Sequence, residues 1–524
     1  MSSSSIPAVD YLIVGAGVNG TSIATTLISL GFSVAVLDRS PDGFVAPDGA
    51  SHDLNKIVRA DYTDANYCTL AKEAISRWRS NPVLSPFYHE VGVLFRSSDR
   101  GRVFGAVGSG SAEEYVEAGV KHARLSRDEH LELAAPGKVL VQPAYKLASD
   151  EQVKDIFNAR RGGVGVELGE GLKGMGSKQT GYFNPRGGWA EANNACRALL
   201  EHAVRLGVQV YSNATVTAFT YDVGRVSGVQ TSDGRRFSAR QVVLAAGAWT
   251  SDLLSTLSPH PNAAALPSKW MTRPSAQCVA VLRLTPTEAH ALKDTPVIIN
   301  FSSGFYQFEP VHIPGVNEWH MKIAYHSNGY LYPKPPVECN GGYPAFEDSA
   351  AACPTGPREI GGEGDRAEDV GYEMAESTIP ASRLDHMLAE LAQIYPALAQ
   401  KERVIATRVC WYSDTLDENW IIDTLNSHPA VSQDGKGRVG ENVWVVSGDS
   451  GHAYKFLPMI GDLFATIAGL CPNTRRLDLS RFTFAHQARL HADKNAGRPV
   501  ESADSNRFDA SKPTSAQSNP RARL

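Results

Sequence analysis

The segment that most constrains this chain is residues 10–38, DYLIVGAGVNGTSIATTLISLGFSVAVLD. Tyr11–Val14 is an apolar run of strand length, and Gly15-Ala16-Gly17-Val18-Asn19-Gly20 follows at once. Thr21–Leu30 has helical spacing, Gly31 ends it, and Ser33–Leu37 is a second apolar strand closed by Asp38. A β-turn-α-β unit with G-x-G-x-x-G in its first turn and an acid after its second strand reads as a dinucleotide site. Gly15 permits the tight turn, Gly17 lets a pyrophosphate approach the backbone, and Gly20 lets helix and strand pack closely. The helix N-terminus offers the phosphates free N–H groups and a positive dipole. Asp38 can accept hydrogen bonds from a ribose diol or cap the strand end, and the two roles are compatible. No charge interrupts residues 11–37, but the glycines and Asn19 argue against a membrane span. FAD and NAD(P) both remain open on this motif.

At 524 residues, 42% hydrophobic and 20% charged, the chain can bury a large core. A net charge of −5 disfavours nucleic acid and anionic membranes as partners. The first residues, MSSSSIPAVD, lack the basic and apolar regions of a secretory signal. The 7 cysteines form neither a disulfide framework nor a zinc spacing, so no metal is expected. Ala522-Arg523-Leu524 resembles a peroxisomal address at the end of a Ser-, Asn-, Asp- and Pro-rich tail, about 495–520, expected to be disordered.

Further along, 51–67 is polar and holds Lys56 and Arg59, Cys68–Trp78 is helical, and Phe87–Phe95 alternates like a strand. Residues 113–119 and 126–134 look helical, and the Gly-rich stretch 160–177 an exposed excursion. Residues 181–189 read as a turn and 190–206 as a helix. Strands and a hairpin at 208–231 lead to Val242-Val243-Leu244-Ala245-Ala246-Gly247-Ala248-Trp249, a buried strand ending in small residues. That run after a β-meander is the second half of a two-dinucleotide FAD fold, although such a run alone is more often just a buried parallel strand. Strands at 277–284, 297–300, 305–308 and 319–324 suggest an antiparallel sheet roofing the flavin. Residues 339–369 read as a long surface insertion and 378–398 as a helix. The chain then returns with 404–415, 417–423 and the buried strand 443–448. The fold expected is α/β: a two-dinucleotide-binding, Rossmann-like FAD domain (8–90, 181–260 and 404–485) with a second α+β substrate domain (91–180 and 261–403) built on a mostly antiparallel sheet, and a tail from 490 to 524.

The stretches GAGVNG, NKIVRADY (55–62), GWAEA (188–192), VVLAAGAW (242–249), RVCWYSDTLDENWIID (408–423) and GDSGHAYKFLP (448–458) occur in that order. With them the chain resembles the sarcosine oxidase group of flavin amine oxidases, which includes the fungal fructosyl-amino-acid oxidases (amadoriases) and the pipecolate and saccharopine oxidases. The resemblance runs from residue 10 to about 485. It implies FAD bonded through Cys410, Lys322 assisting oxygen reduction, Arg59 and Lys455 binding a substrate carboxylate, and Tyr306 and His326 in the substrate pocket. The flavin site it implies takes in Gly15, Gly17, Val18, Asn19, Gly20, Asp38, Arg39, Lys56, Val216, Ala246, Gly247, Trp249, Cys410, Asp449, Gly451, His452 and Lys455.

Chemistry gives these residues sense. Arg59 and Lys455 suit a carboxylate, and a cation near the flavin stabilises charge developing on oxygen. Plainer readings stand beside them: Cys410 as a buried thiol in a turn-like stretch, Arg59 and Lys455 as surface cations, Lys322 as a solvated strand lysine, His452 as a packed histidine. The activity implied is oxidation of a secondary amine, an N-substituted α-amino acid, to an imine, with O2 reduced to H2O2. Saccharopine, pipecolate, fructosyl-amino-acid and N-methyl amino acid substrates, the last as in fungal isoquinoline-type alkaloid formation, stay open. Leu457-Pro458-Met459-Ile460 departs from the Asn-Ile usual after Leu-Pro in amadoriases. A flavin dehydrogenase with another acceptor and a non-catalytic flavoprotein are the readings from other classes. The expected partners are a small amino-acid substrate, O2 and a peroxisomal import receptor, with a monomer as the default.

Overall fold

A computed structural model describes residues 8–62, 64–97, 145–159, 167–175, 179–223, 225–256, 272–300, 302–326, 379–428 and 440–496. The helices expected at 113–119 and 126–134, residues 160–166 and 176–178 of the Gly-rich stretch, the insertion 339–369 and the tail from 497 with its terminal tripeptide lie outside these residues.

The opening strand Val9–Val14 runs parallel to Val34–Leu37 on one side and to the end of Arg236–Leu244 on the other. Gln209–Tyr211 extends the sheet beyond Val34–Leu37, Val443–Ser447 extends it beyond Arg236–Leu244, and Ile421–Thr424 closes it antiparallel. Leu12, Ile13, Val36, Leu37, Val243 and Leu244 are fully buried, because helices cover one face of the sheet and the β-meander residues Val216, Phe219, Val229 and Phe237 cover the other, leaving no wet face. This is why they read as unbroken apolar runs. Arg236–Leu244 is long enough to join this sheet and also to close the antiparallel meander of Val216–Asp222 and Arg225–Thr231. The helix Val18–Ser29 springs from the glycine turn, and Ile23, Ala24 and Leu27 bury its inner face.

A second, nine-stranded sheet stands against this one. Val404–Asp414 forms one edge, Arg273–Leu284 pairs beside it, and the sheet continues through Glu318–Tyr325, Phe305–Gln307, Val297–Asn300, Val93–Ser97 and Thr180–Asn184. All these neighbours are antiparallel except Val93–Ser97 with Val297–Asn300. The helix Ala381–Ala392 covers it with Leu384, Met387, Leu388 and Leu391. The α/β flavin-type unit with a mostly antiparallel second sheet is therefore the architecture.

Several local expectations change. Phe87–Phe95 is two strands, Tyr88–His89 and Val93–Ser97, in different sheets, since Gly92 at φ +84° turns the chain between them. Residues 181–189 hold the ends of two strands, Thr180–Asn184 and Gly188–Glu191, and only the short link between them turns. Within the Gly-rich stretch, Gly171, Leu172 and Met175 are buried rather than exposed; a side chain at Gly171 would press on Gln393, so glycine is used there for close packing. Val404–Asp414, read as a return to the dinucleotide unit, pairs along its length in the second sheet. Cys410 consequently sits mid-strand opposite Gln277, not in a turn, because its apolar neighbours fit a two-sided buried sheet better than a bend.

Candidate active site

A cavity of about 390 Å³ lies where the two sheets meet the glycine turn. Gly15, Gly17, Val18, Asn19, Asp38, Arg39, Lys56, Val216, Ala246, Gly247, Trp249, Asp449 and Gly451 line it. The chain approaches here so closely that Gly15 must lack a side chain: a Cβ would overlap the Ala245 carbonyl, and φ is +106°. At Gly17 the space is open, with only Ser51 Oγ nearby at 3.5 Å. Gly20 is not part of the lining. A Cβ there would overlap the Gly15 carbonyl, so it serves helix–strand packing. Asp38 reaches the cavity while its carboxylate accepts from the Ala16 N–H at 2.7 Å and the Ser40 N–H at 2.8 Å, which pins the glycine turn. Arg39 lies 4.0 Å over the Trp249 ring and pairs with Asp48.

Beside the cavity is a buried charge cluster. Lys56 Nζ donates to Asp53 Oδ2 at 2.7 Å and lies 3.3 Å from Cys410 Sγ. Lys322 is not the solvated strand lysine considered from sequence: it is 0% exposed, and it donates to the same Asp53 oxygen at 2.6 Å and to the Asn55 carbonyl at 2.7 Å. Burial alone would raise the Asp53 carboxyl, but the charges of Lys322, Lys56 and Arg408 hold it well below the usual carboxylate range. Burial pulls Lys322 down to about 8 despite the Asp53 charge. Burial also pulls on Lys56, yet Asp53 keeps it above its ordinary value. Tyr306 is buried in the same cluster, and burial pushes its phenol up, opposed by Lys56.

A second group of cations gathers at Tyr62. Arg59 and Lys455 are buried, not surface residues. The Arg59 guanidinium donates to the Asp61 carbonyl and lies 5.1 Å from the Tyr62 ring. Lys455 Nζ lies 5.0 Å from that ring and donates to the Tyr62 hydroxyl and the His452 carbonyl, each at 2.7 Å. His452 Nε2 is 2.9 Å from the Glu418 carbonyl, which can only accept, so Nε2 carries the proton. In the neutral ring Nδ1 is then an acceptor and takes the Tyr62 O–H at 2.9 Å. The tyrosine thus accepts from Lys455 and donates to His452.

His452, Lys455 and Cys410 are not among the cavity's lining residues: the first two belong to the Tyr62 group, and the sulfur of the third lies 3.3 Å from Lys56 Nζ. His326 is partly exposed, with its ring 5.7 Å from that of Tyr412. Asp53, Tyr62 and Tyr412 were missed in the sequence. Asp53 sits three residues before Lys56, but nothing local marks its bond to a lysine 269 residues away.

The glycine cradle, the open face at Gly17 and the small residues Ala246–Ala248 fit a flavin dinucleotide crossing both halves of the fold. Residues 10–467 match the family of FAD dependent oxidoreductases, and the chain belongs to it. It is 28% identical to the L-saccharopine oxidase of Schizosaccharomyces pombe over 87% of this chain and 88% of that protein. It is 26% identical to the amino acid oxidase imqH of Aspergillus flavus over 86% of this chain and 91% of that one. Among solved structures, the fructosamine oxidase Amadoriase II of Aspergillus fumigatus superposes with a TM-score of 0.65 at 24% identity, over 96% of this chain and 94% of that one. The protein is an FAD-dependent oxidoreductase.

Proposed function

We propose that the protein oxidises a secondary amine, an N-substituted α-amino acid, with oxygen as the acceptor and hydrogen peroxide as a product. The convergence of Arg59 and Lys455 on Tyr62 carries this reading. Two buried cations on one aromatic ring make a seat for a carboxylate, and the guanidinium can hold it in a fork while the ammonium adds a point charge. The relatives named for saccharopine and amino acid oxidation support it. FAD, when bound, takes hydride from the carbon beside the nitrogen and passes the electrons on. Lys322 stands as the cation that favours oxygen as their destination. In this proposal Cys410 holds the flavin covalently, with Lys56 beside its sulfur, and Ala522-Arg523-Leu524 addresses the enzyme to the peroxisome.

The test is steady-state kinetics on N-methyl and N-alkyl amino acids, read as peroxide. Arg59→Leu and Lys455→Met should each raise KM by about 10- to 100-fold, because each removes a charge-assisted contact worth about 1.5–3 kcal/mol. Unchanged KM in both variants would remove the carboxylate seat. Acid precipitation of the wild type should leave the yellow colour in the pellet, and in Cys410→Ala in the supernatant.

A further inference from the structure

Two lysines from different sheets end on one carboxylate oxygen. Asp53 stands just before the strand Asn55–Val58, which carries Lys56, whereas Lys322 comes from Glu318–Tyr325 in the nine-stranded sheet. Asp53 Oδ2 accepts from Lys322 Nζ at 2.6 Å and from Lys56 Nζ at 2.7 Å, and Oδ1 accepts from the Leu54 N–H at 2.8 Å. The Asp53 and Lys322 side chains are 2% and 0% exposed. An ammonium that deep costs several kcal/mol unless an anion compensates it. A lysine stem is also flexible, with three donors that can point anywhere. Asp53 and the Asn55 carbonyl take two of the Lys322 donors and so fix the direction of the third.

We propose that Asp53 is a positioning residue that ties Lys322 and Lys56 to one oxygen, keeps Lys322 an ammonium and aims it for the oxygen half-reaction. This rests on the reading of Lys322 given above. Asp53 touches neither substrate nor cofactor in this role. It acts through Lys322, and its loss should register as a displaced titration rather than only a slower enzyme.

The groups facing Lys322 set the sign. Asp53 raises its proton affinity; Lys56, from the same segment as Asp53, lowers it; the Cys410 sulfur raises it. Arg408, on the strand of Cys410, bears on Asp53, and Tyr306 lies in the same cluster. Phe308 offers its ring face at 5.1 Å, and His320 on the strand of Lys322 is turned to Glu318 at 2.9 Å. Removing the carboxylate must therefore move the Lys322 titration to lower pH, and removing Lys56 must move it to higher pH.

The experiment takes the flavin-loaded enzyme, reduces it photochemically, and follows reoxidation by dissolved oxygen from about pH 6 to about pH 10, on either side of the lysine range. A second readout needs no turnover: the pH at which the visible absorption of the resting, oxidised holoenzyme changes. In the wild type both should follow an ionisation near 8. Asp53→Asn should displace both toward acid by about one unit or more, and Lys56→Met should displace both toward alkali. If Asp53→Asn does not fold, the alkaline displacement in Lys56→Met carries the test. Profiles that fall in height at every pH without moving would make Asp53 a structural residue and overturn the proposal. Reoxidation of Lys322→Met at the wild-type rate would instead overturn the reading of Lys322 itself, whatever Asp53→Asn does.

Discussion

The hydroxyl of Tyr62 lies 2.9 Å from Nδ1 of His452 and donates to it when the ring is neutral, since Nε2 of that ring is committed to the Glu418 carbonyl. The same hydroxyl accepts from Lys455. Tyr62 thereby sets where the Lys455 ammonium sits. Tyr62→Phe keeps the ring but leaves His452 Nδ1 without that donor and frees Lys455 from that acceptor. It should destabilise the protein by about 1–3 kcal/mol, the cost of a buried polar group losing its partner. It should raise KM for the amino acid more than it lowers kcat. Thermal unfolding and steady-state kinetics measure both.

Gly451 tests the fit of the cavity. It adopts φ +73°, and a Cβ there would run into the ring of Tyr412, which also lines the cavity. Gly451→Ala has to move that ring or strain the backbone by roughly 1–3 kcal/mol. The purified variant should carry clearly less flavin per chain than the wild type, measured from the ratio of visible to ultraviolet absorption.

Asp449 is shifted by the same cause as Lys322, burial, but in the opposite direction. Its carboxyl is buried, and burial pushes it up to about 6; the Asn19 side-chain N–H, donating at 2.8 Å, opposes this, while the nearby Asp414 adds to it. Because the folded state holds this proton more tightly than the unfolded chain, the stability it contributes is full below the ordinary value of 3.8 and is lost as pH rises through about 6. Asp449→Asn cannot ionise and should show a flatter dependence of unfolding temperature on pH between about 4 and 7. A variant with the same slope as the wild type would remove Asp449 as its source.

What could be read from the sequence follows the range of each interaction. The turn at Gly15, Gly17 and Gly20 was legible because each glycine answers a local backbone demand within a single β-α-β unit. The apolar segments Tyr11–Val14, Val242–Leu244 and Val445–Val446 of the parallel strands were legible because burial on both faces leaves no polar positions there. Sheet membership was harder: an apolar run such as 404–414 fits either sheet, and only pairing with Arg273–Leu284 decides it. The single strand expected at 87–95 failed at Gly92, whose positive φ ends one ladder and begins another. The cation seat was half legible, since Arg59 and Lys455 stand in distinctive stretches, but Tyr62 looked like an ordinary aromatic. Asp53 was invisible because its partners lie on two separate strands, one of them far along the chain.

In the proposed reaction the enzyme takes hydride from an N-substituted amino acid and gives the electrons to oxygen beside Lys322. The most direct measurement mixes the yellow enzyme with N-methyl amino acids under anaerobic conditions, records the visible spectrum, and then admits oxygen. This chemistry predicts bleaching by at least one such amine, return of the colour with oxygen, and one peroxide per flavin. It also predicts that Lys322→Met bleaches as the wild type does but recovers about 10²- to 10³-fold more slowly, the scale of losing one preorganised charge. A flavin that no secondary amino acid bleaches, or one that recovers equally fast without Lys322, would contradict it.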